Sequence, residues 1–369
     1  MPSDQKFDLG YLGGGQLARM SILAARPYGV STLSLDPGED TPAARVGKAI
    51  VGRLDRPEDI ATLMRRCRRL TLENEFIPAE AILEAAKQAD FDLANLVPGP
   101  GALATIQDKL SQRQAYQAAG VPSPHAVSLE DGGAQAKAEI GFPMVLKARF
   151  GGYDGKGTRY ARTEAEFEQH ADTWQKGGWL AEAFVPFVRE LAVMVCVPEN
   201  GPAACFPTMA TEQRNHVCDV VYPCGSDGSK IAEAAVRAMG GIGLFGVELF
   251  ELADGQLLVN EIAPRPHNTG HYTQNWGGTT QFEQHVRVAL GLPIDTAPTG
   301  HPTSMANILG PDHGFDFKKA RERLFATHPQ AHLHWYGKAE SRPGRKLGHI
   351  NVAGGRDEAL AARDAFFGV

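Results

Sequence analysis

Glu248 and Glu261 carry the most definite chemistry in this chain. They stand in two short apolar runs, Gly246-Val247-Glu248-Leu249-Phe250 and Leu258-Val259-Asn260-Glu261-Ile262, with Asp254-Gly255 between them. Asp-Gly between such runs signals a two-residue hairpin turn. In that register Ala253 pairs with Gln256 and Glu248 falls opposite Glu261, on one face with Phe250, Leu252, Leu257 and Val259. Like charges directly opposed destabilise a ladder, and a divalent cation removes that cost. Hard carboxylates beside phosphate oxygens suit Mg2+, with Mn2+ as a substitute. The plainer alternative is another register with two solvated glutamates. Asn260 points to the opposite face unless a bulge re-aims it. Pro264-Arg265-Pro266-His267-Asn268-Thr269-Gly270-His271 follows at once. A cation, an imidazole and an amide there suit an anionic, oxygen-rich substrate, although either histidine could simply cap a turn.

Two glycine-rich segments add phosphate chemistry. Phe150-Gly151-Gly152-Tyr153-Asp154-Gly155-Lys156-Gly157 lies between a strand carrying Lys147 and a second strand, Thr158–Ala161. Such a loop can fold over a polyphosphate, donating N–H groups where side chains would not fit. It can equally be a flexible hairpin turn. Gly13-Gly14-Gly15-Gln16-Leu17-Ala18 follows a strand, opens a helix, and has Asp36 at the end of the next strand. That is the pattern of a dinucleotide site. Physically it requires only bare N–H groups facing some phosphate at a helix N-terminus, or no ligand at all. Near the end, Trp335-Tyr336-Gly337 and Arg342-Pro343-Gly344-Arg345-Lys346-Leu347-Gly348-His349 place cations on a rigid turn, fit to grip a sugar phosphate or merely solvated.

These pieces need scaffolding. The first hundred residues alternate strands (Phe7–Leu12, Ser31–Leu35, Leu70–Leu72) with helices (Gln16–Ala25, Glu58–Arg69), which predicts a parallel sheet. Pro98-Gly99-Pro100-Gly101 punctuates the chain, and Thr105–Ala119 reads as one helix. Strand-like runs at Met144–Ala148, Leu180–Val185 and Leu191–Val197, with a helix near Glu164–Gln175, suggest a small α+β lid. Helices are expected at Ile231–Met239 and Gln281–Leu290, and only short strands and loops after Pro293. With 369 residues the chain is long for one core, so two or three domains are expected. The net charge of -6 argues against a broad nucleic-acid surface. Cys67, Cys196, Cys205, Cys218 and Cys224 form no CxxC pair, which fits reduced thiols in a cytoplasm. The start, MPSDQKFDLG, predicts no signal peptide, and no apolar run reaches the roughly 20 residues of a membrane span.

In order along the chain, LGGGQLARM, GGYDGKG, VNEIAPRPHNTGH and HWYGKAESRPGRKLGHIN resemble the ATP-grasp superfamily, and within it the N5-carboxyaminoimidazole ribonucleotide synthases of purine biosynthesis. The resemblance implies an α/β and α+β fold: a Rossmann-like N-terminal domain (1–104), a linker helix and lid (105–185), and a C-terminal mixed-sheet domain with a substrate-binding tail (186–369). It implies that ATP phosphorylates bicarbonate to carboxyphosphate. That species, or CO2 released from it, carboxylates the amine of 5-aminoimidazole ribonucleotide (AIR), giving N5-CAIR, ADP and phosphate. ATP and Mg2+ are the implied cofactors. A cytoplasmic homodimer handing its product to the N5-CAIR mutase is the implied setting, with no nucleic acid or membrane involved.

By the same resemblance Glu248 and Glu261 match the metal ligands, with Asn260 beside them, and Lys109 and Lys147 match nucleotide contacts. Gly152, Tyr153, Asp154, Gly155, Lys156, Gly157 and Thr158 match the phosphate cover. Glu182, Ala183, Phe184 and Val185 match the adenine hinge and Glu190 the ribose contact. Arg265, His267 and Asn268 match the bicarbonate and carboxyphosphate pocket. Tyr153, Asp154, Arg345 and Lys346 match residues facing AIR, and Gly14, Gly15 and Gln16 lie near AIR and not NAD. One segment departs from the pattern: Glu212–Val221 is shortened, so His216 is given no role. Against this reading stand an NAD-dependent oxidoreductase, which leaves the carboxylate pair unexplained, and a formate-using ATP-grasp sister enzyme, which the RPGRKLGH tail disfavours. A non-catalytic binding protein sits poorly with an intact metal pair and phosphate loop.

Overall fold

The structure, a computed structural model, describes residues 6–152, 157–312, 314–338 and 340–369. Its N-terminal sheet is parallel: β1 (Phe7–Leu12), β2 (Thr32–Asp36), β3 (Lys48–Val51), β4 (Cys67–Leu72) and β5 (Leu96–Val97), in the order β3-β2-β1-β4-β5. Helices Pro57–Arg66 and Ala79–Ala89 bury Ile60, Leu63, Ile82 and Ala85 on one face. Helix Gln16–Ala25 covers the other face together with Gln281–Ala289, a helix from far along the chain. His285 of that distant helix fits between Ser21 and Thr71.

A small antiparallel sheet follows: β6 (Ala126–Ser128), β7 (Met144–Ala148), β8 (Thr158–Ala161) and β9 (Trp179–Ala183), ordered β6-β9-β7-β8. The remaining strands form one large sheet. They are β10 (Arg189–Val197), β11 (Ala204–Cys205), β12 (Met209–Arg214), β13 (Val217–Pro223), β14 (Gly243–Glu251), β15 (Leu257–Ala263), β16 (Thr303–Leu309), β17 (His332–Trp335) and β18 (Lys346–Ala353). Their order is β15-β14-β10-β12-β13-β16-β18-β17, with β11 paired to β10. No helix among the described residues is long and apolar enough to cross a membrane.

Three local expectations are corrected. The helix expected at Thr105–Ala119 is two, Pro100–Gln107 and Lys109–Ala118, broken where Asp108 turns extended and accepts from the Leu110 N–H as an N-cap. The helix expected near Glu164–Gln175 divides at His170. The tail holds two helices, Phe317–Thr327 and Arg356–Phe367. The first buries only Ala320 and Leu324, too narrow a stripe to stand out among its charges.

Candidate active site

A cleft of about 1350 Å³ opens where the three sheets meet. The hairpin β14–β15 forms part of its floor. Glu248 pairs with Glu261 as expected, but by another route. Leu252 and Gln256 close the turn, leaving a three-residue loop that ends in left-handed Gly255. Glu251 then pairs with Leu257 and Leu249 with Val259, and a bulge at Asn260 restores the register at Glu261. The face expected for Leu257 and Val259 is thereby corrected. Leu257 packs toward the core and Val259 is buried in it, both on the face away from Glu261. Asn260, set free by the bulge, lines the cleft beside Glu261.

Burial pushes the Glu248 carboxyl up to about 7, helped by repulsion from Glu261 and Glu190. Among the described residues no group of three or more His, Cys, Asp or Glu is placed to hold an ion by itself. Two opposed carboxylates in a cleft fit a hard cation that completes its shell with phosphate oxygens and water.

Cations ring the pair. Lys109 Nζ donates to Glu261 Oε1 at 2.6 Å. Lys147, on β7, reaches Glu182 Oε2 at 2.7 Å and donates to Asn260 Oδ1 at 3.3 Å. Arg113 grips the other oxygen of Glu182 at 2.8 Å. Burial alone would raise the Glu182 carboxyl, but these two cations hold it down at about 2. Its side chain is therefore fully engaged, and what it leaves for an adenine ring is backbone. Ala183, Phe184, Val185 and Glu190 line the cleft alongside it.

Past the hairpin, Arg265 lines the cleft, yet Nε and Nη2 of its fork both donate to Glu75, the latter at 2.7 Å. The two-pronged edge is thus not open to a ligand oxyanion. Burial works against the Glu75 charge, but Arg265 more than offsets it and keeps the carboxyl below its usual range. His267 lies against Gly246, where a Cβ would come within 2.4 Å of the His267 Cβ. Burial, then the charges of Arg265 and Lys346, hold its imidazole neutral. Nδ1 meets Thr269 Oγ1 at 2.8 Å and Nε2 faces Glu248 at 3.8 Å. Gln281 fixes the His267 backbone from both sides, accepting from its N–H at 3.0 Å and donating to its carbonyl at 2.9 Å. Asn268 is buried and exchanges two hydrogen bonds with Asn307 of β16, at 3.0 and 2.6 Å. Asn268 lines the cleft, and the pairing with Asn307 fixes its amide and leaves it one N–H to offer there.

The glycine loop opens at the C-terminal ends of β1 and β4, where the order of a parallel sheet reverses and ligands bind. Carboxylates occupy the dinucleotide position. The Gly14 N–H donates to Asp36 Oδ2 at 2.8 Å, and the Leu17 N–H donates to Glu73 Oε1 at 3.3 Å. A Cβ at Gly15 would stand 2.2 Å from the same Glu73 oxygen. The loop's bareness admits Glu73 and leaves no room for a pyrophosphate. Burial raises that carboxyl to about 7. Gly15 and Gln16 line the cleft, whereas Gly14 is turned away toward Asp36.

Arg345 and Lys346, at the start of β18, line the opposite end, and Gly152, Gly157 and Thr158 line the lid side. Tyr153, Asp154, Gly155 and Lys156 lie outside the described residues. His216, left without a role by the sequence, does line the cleft. Asn215 and His216 are both left-handed, with φ 52° and 63°, and make the two-residue turn between β12 and β13.

Sequence reasoning missed Glu73, Glu75, Arg113, Gln281 and Asn307. The acids had a usable signal, since Glu73-Asn74-Glu75 follows a parallel strand directly. Arg113 stands one helical turn beyond Lys109.

Three family models match the chain: the ribonucleotide synthetase preATP-grasp domain over residues 7–107, the ATP-grasp domain over 114–282, and the phosphoribosylaminoimidazole carboxylase C-terminal domain over 303–363. The chain is 39% identical to N5-carboxyaminoimidazole ribonucleotide synthase of Synechococcus elongatus, covering 93% of this chain and 89% of that one. It is 37% identical to phosphoribosylaminoimidazole carboxylase of Schizosaccharomyces pombe, of whose length it spans 65%. N5-carboxyaminoimidazole synthetase of Staphylococcus aureus, solved with ADP, superposes with TM-score 0.88 at 29% identity over 98% of both chains. The Aspergillus clavatus synthase, solved with ADP and 5-aminoimidazole ribonucleotide, gives TM-score 0.86 at 28% identity over 99% of this chain and 100% of that one. With the glycine loop closed to a dinucleotide and the opposed carboxylates ringed by cations, the chain belongs to the N5-carboxyaminoimidazole ribonucleotide synthase family of ATP-grasp ligases.

Proposed function

We propose that this enzyme uses Mg-ATP to activate bicarbonate and carboxylates the amine of AIR. The observation that carries this reading is the continuity of one cleft. It runs from the Glu248–Glu261 pair and two lysines, past Arg265 and His267, to Arg345 and Lys346. A bicarbonate oxygen attacks the γ-phosphorus and ADP leaves. The amine nitrogen then attacks the carboxyl carbon of carboxyphosphate, or CO2 released from it, phosphate departs, and the amine loses a proton.

Glu248 and Glu261 would hold Mg2+, which supplies charge neutralisation at the phosphates. Lys109 and Lys147 place cations beside the same oxygens. Gly152, Gly157 and Thr158 would cover the phosphates from the other side of the cleft. Ala183, Phe184 and Val185 offer backbone and an apolar wall to adenine, and Glu190 a carboxylate to ribose. Arg265, oriented by Glu75, presents its remaining N–H groups and its charge to the short-lived acyl phosphate. Neutral His267 can donate an imidazole N–H to an oxygen of the acid, since burial and the neighbouring cations keep it from taking up a proton. Gly15, Gln16, Arg345 and Lys346 frame AIR, the last two as partners for its phosphate.

The division near residues 104 and 185 is part of this reading, and each segment building its own sheet supports it. So is a homodimer in the cytoplasm that passes its product to the N5-CAIR mutase; five free thiols suit a reducing compartment. The test is phosphate release with AIR and bicarbonate supplied together and singly, alongside direct detection of N5-CAIR. Equal release with formate in place of bicarbonate would overturn the choice of acid.

A further inference from the structure

Arg113 is not among the residues that line the cleft, and only 5% of its side chain is accessible. Two of its nitrogens nevertheless hold the cleft's machinery. Nε donates to Glu182 on β9, and Nη2 donates to the backbone carbonyl of Asn260 on β15 at 2.7 Å. That carbonyl belongs to the residue the bulge leaves unpaired across the ladder, so its donor must come from elsewhere. One turn earlier on the same helix, Lys109 reaches Glu261. Lys109 and Arg113, four residues apart on one helix face, thus clamp the two consecutive residues of the bulge.

We propose that Arg113 is a positioning residue: it locks the β15 bulge that turns Asn260 and Glu261 together into the cleft. The proposal rests on the reading of Glu261 as a metal ligand. A strand that loses its bulge shifts register, and a shift of one residue sends side chains to the opposite face. Arginine suits the task because its rigid fork spans a carboxylate on one strand and a carbonyl on another. Lysine at this position keeps a charge for Glu182 but cannot serve both partners at once. Lys147 already sits on the other oxygen of Glu182, so a weakened Arg113 arm also draws Lys147 more firmly onto that carboxylate and away from the phosphates.

The experiment uses Arg113→Lys and Arg113→Gln in the full chain with two readouts. The first is hydrogen exchange of the 257–263 segment in the protein free of metal and nucleotide. The second is Mn2+ binding in the presence of ADP, followed by water-proton relaxation. Loss of a charge-assisted hydrogen bond should speed exchange in that segment about tenfold or more, while the 7–12 strand is unchanged. Mn2+ affinity should fall about tenfold as well, with metal-free ADP affinity changing far less. Unchanged exchange in Arg113→Lys overturns the proposal, and so does a fall in ADP affinity as large as that for Mn2+. If Arg113→Gln does not fold, Arg113→Lys keeps the Glu182 ion pair and tests the Asn260 arm by itself. Glu261→Gln serves as a control: if it leaves Mn2+ affinity intact, the metal reading fails, and exchange in 257–263 still decides the role of Arg113.

Discussion

Arg265 and Glu75 meet edge to edge, with two guanidinium nitrogens on two carboxylate oxygens, although 190 positions separate them in sequence. Only 17% of either side chain is accessible, so the pair is screened little by solvent. The cation proposed to face the activated acid is thus held in place by a residue of the loop that follows β4 in the N-terminal sheet.

Glu75→Gln should therefore damage catalysis without touching the nucleotide. One prong of the bidentate bond goes, and Arg265 gains freedom to turn. A displacement of about 1 Å costs on the order of 10²-fold in rate. Arg265→Lys should lose a similar factor, because a point charge cannot keep both oxygens of Glu75. The double variant should be scarcely worse than either single. Additive losses in N5-CAIR formation, measured with ATP affinity alongside, would show that the two residues act separately.

With Glu248 as a ligand, as proposed, its raised carboxyl should make metal binding depend on pH. Held at about 7, it carries a proton below neutrality in the metal-free protein, and a cation must displace that proton. Apparent Mn2+ affinity should climb about tenfold per pH unit from 5.5 to 7 and then level off. Glu261→Gln should abolish turnover, by 10²-fold or more, with Glu248→Gln somewhat milder. An Mn2+ affinity that is flat across that window removes Glu248 from the ligand set.

NAD and NADP should not bind, because Asp36 and Glu73 already take the N–H groups of the glycine loop. Gly15→Ala drives a methyl against Glu73 and should raise the KM for AIR roughly tenfold while leaving that for ATP unchanged. Micromolar NAD binding by calorimetry would revive the oxidoreductase reading.

His285 gives the fold an acid limit. The Thr71 hydroxyl donates to the Val97 carbonyl, so it accepts from His285 Nε2–H at 2.8 Å, and Nδ1 accepts from Ser21 at 3.0 Å. Burial depresses this imidazole to about 3 from its ordinary 6.5. As pH falls through 6.5 the unfolded chain takes a proton that the folded one refuses, so stability drains away from 6.5 down toward 3. Each unit in that window removes about 1.4 kcal/mol through this group. His285→Gln, less stable at pH 7.5, should lose about 2 kcal/mol less than the wild type between pH 7.5 and 5 in urea titrations. Parallel losses in the two proteins would show that other groups set the limit.

The opposition of Glu248 and Glu261 was legible because two errors cancelled. A three-residue loop moved the pairing by one position, and the bulge at Asn260 moved it back. Turn length and bulges are set by local backbone geometry that residue types only bias, so the faces of Leu257 and Val259 came out wrong while the key pair came out right. Motifs whose residues sit within one loop, such as Arg265-Pro266-His267, could be read directly. Glu75, Asn307 and Arg113 act through partners that only the folded chain brings near. The same limit hid the helix Gln281–Ala289 as a cover for the N-terminal sheet.

The large sheet constrains how such an enzyme can be re-engineered. Strand β18, which starts at Lys346, lies five ladders from β14, which carries Glu248. Laid flat at about 4.8 Å per strand, that order would separate them by roughly 24 Å. Both nevertheless line one cleft, and the charge of Lys346 is felt at Glu248, so the sheet coils back on itself like a cupped hand. The cup works as a gauge, setting the gap between Glu248 and Lys346 by accumulated twist. To retarget the acceptor, β16 to β18 would have to be transplanted as a block with the Asn268–Asn307 seam intact, since a change of curvature in any intervening strand resets the gap for every substrate at once.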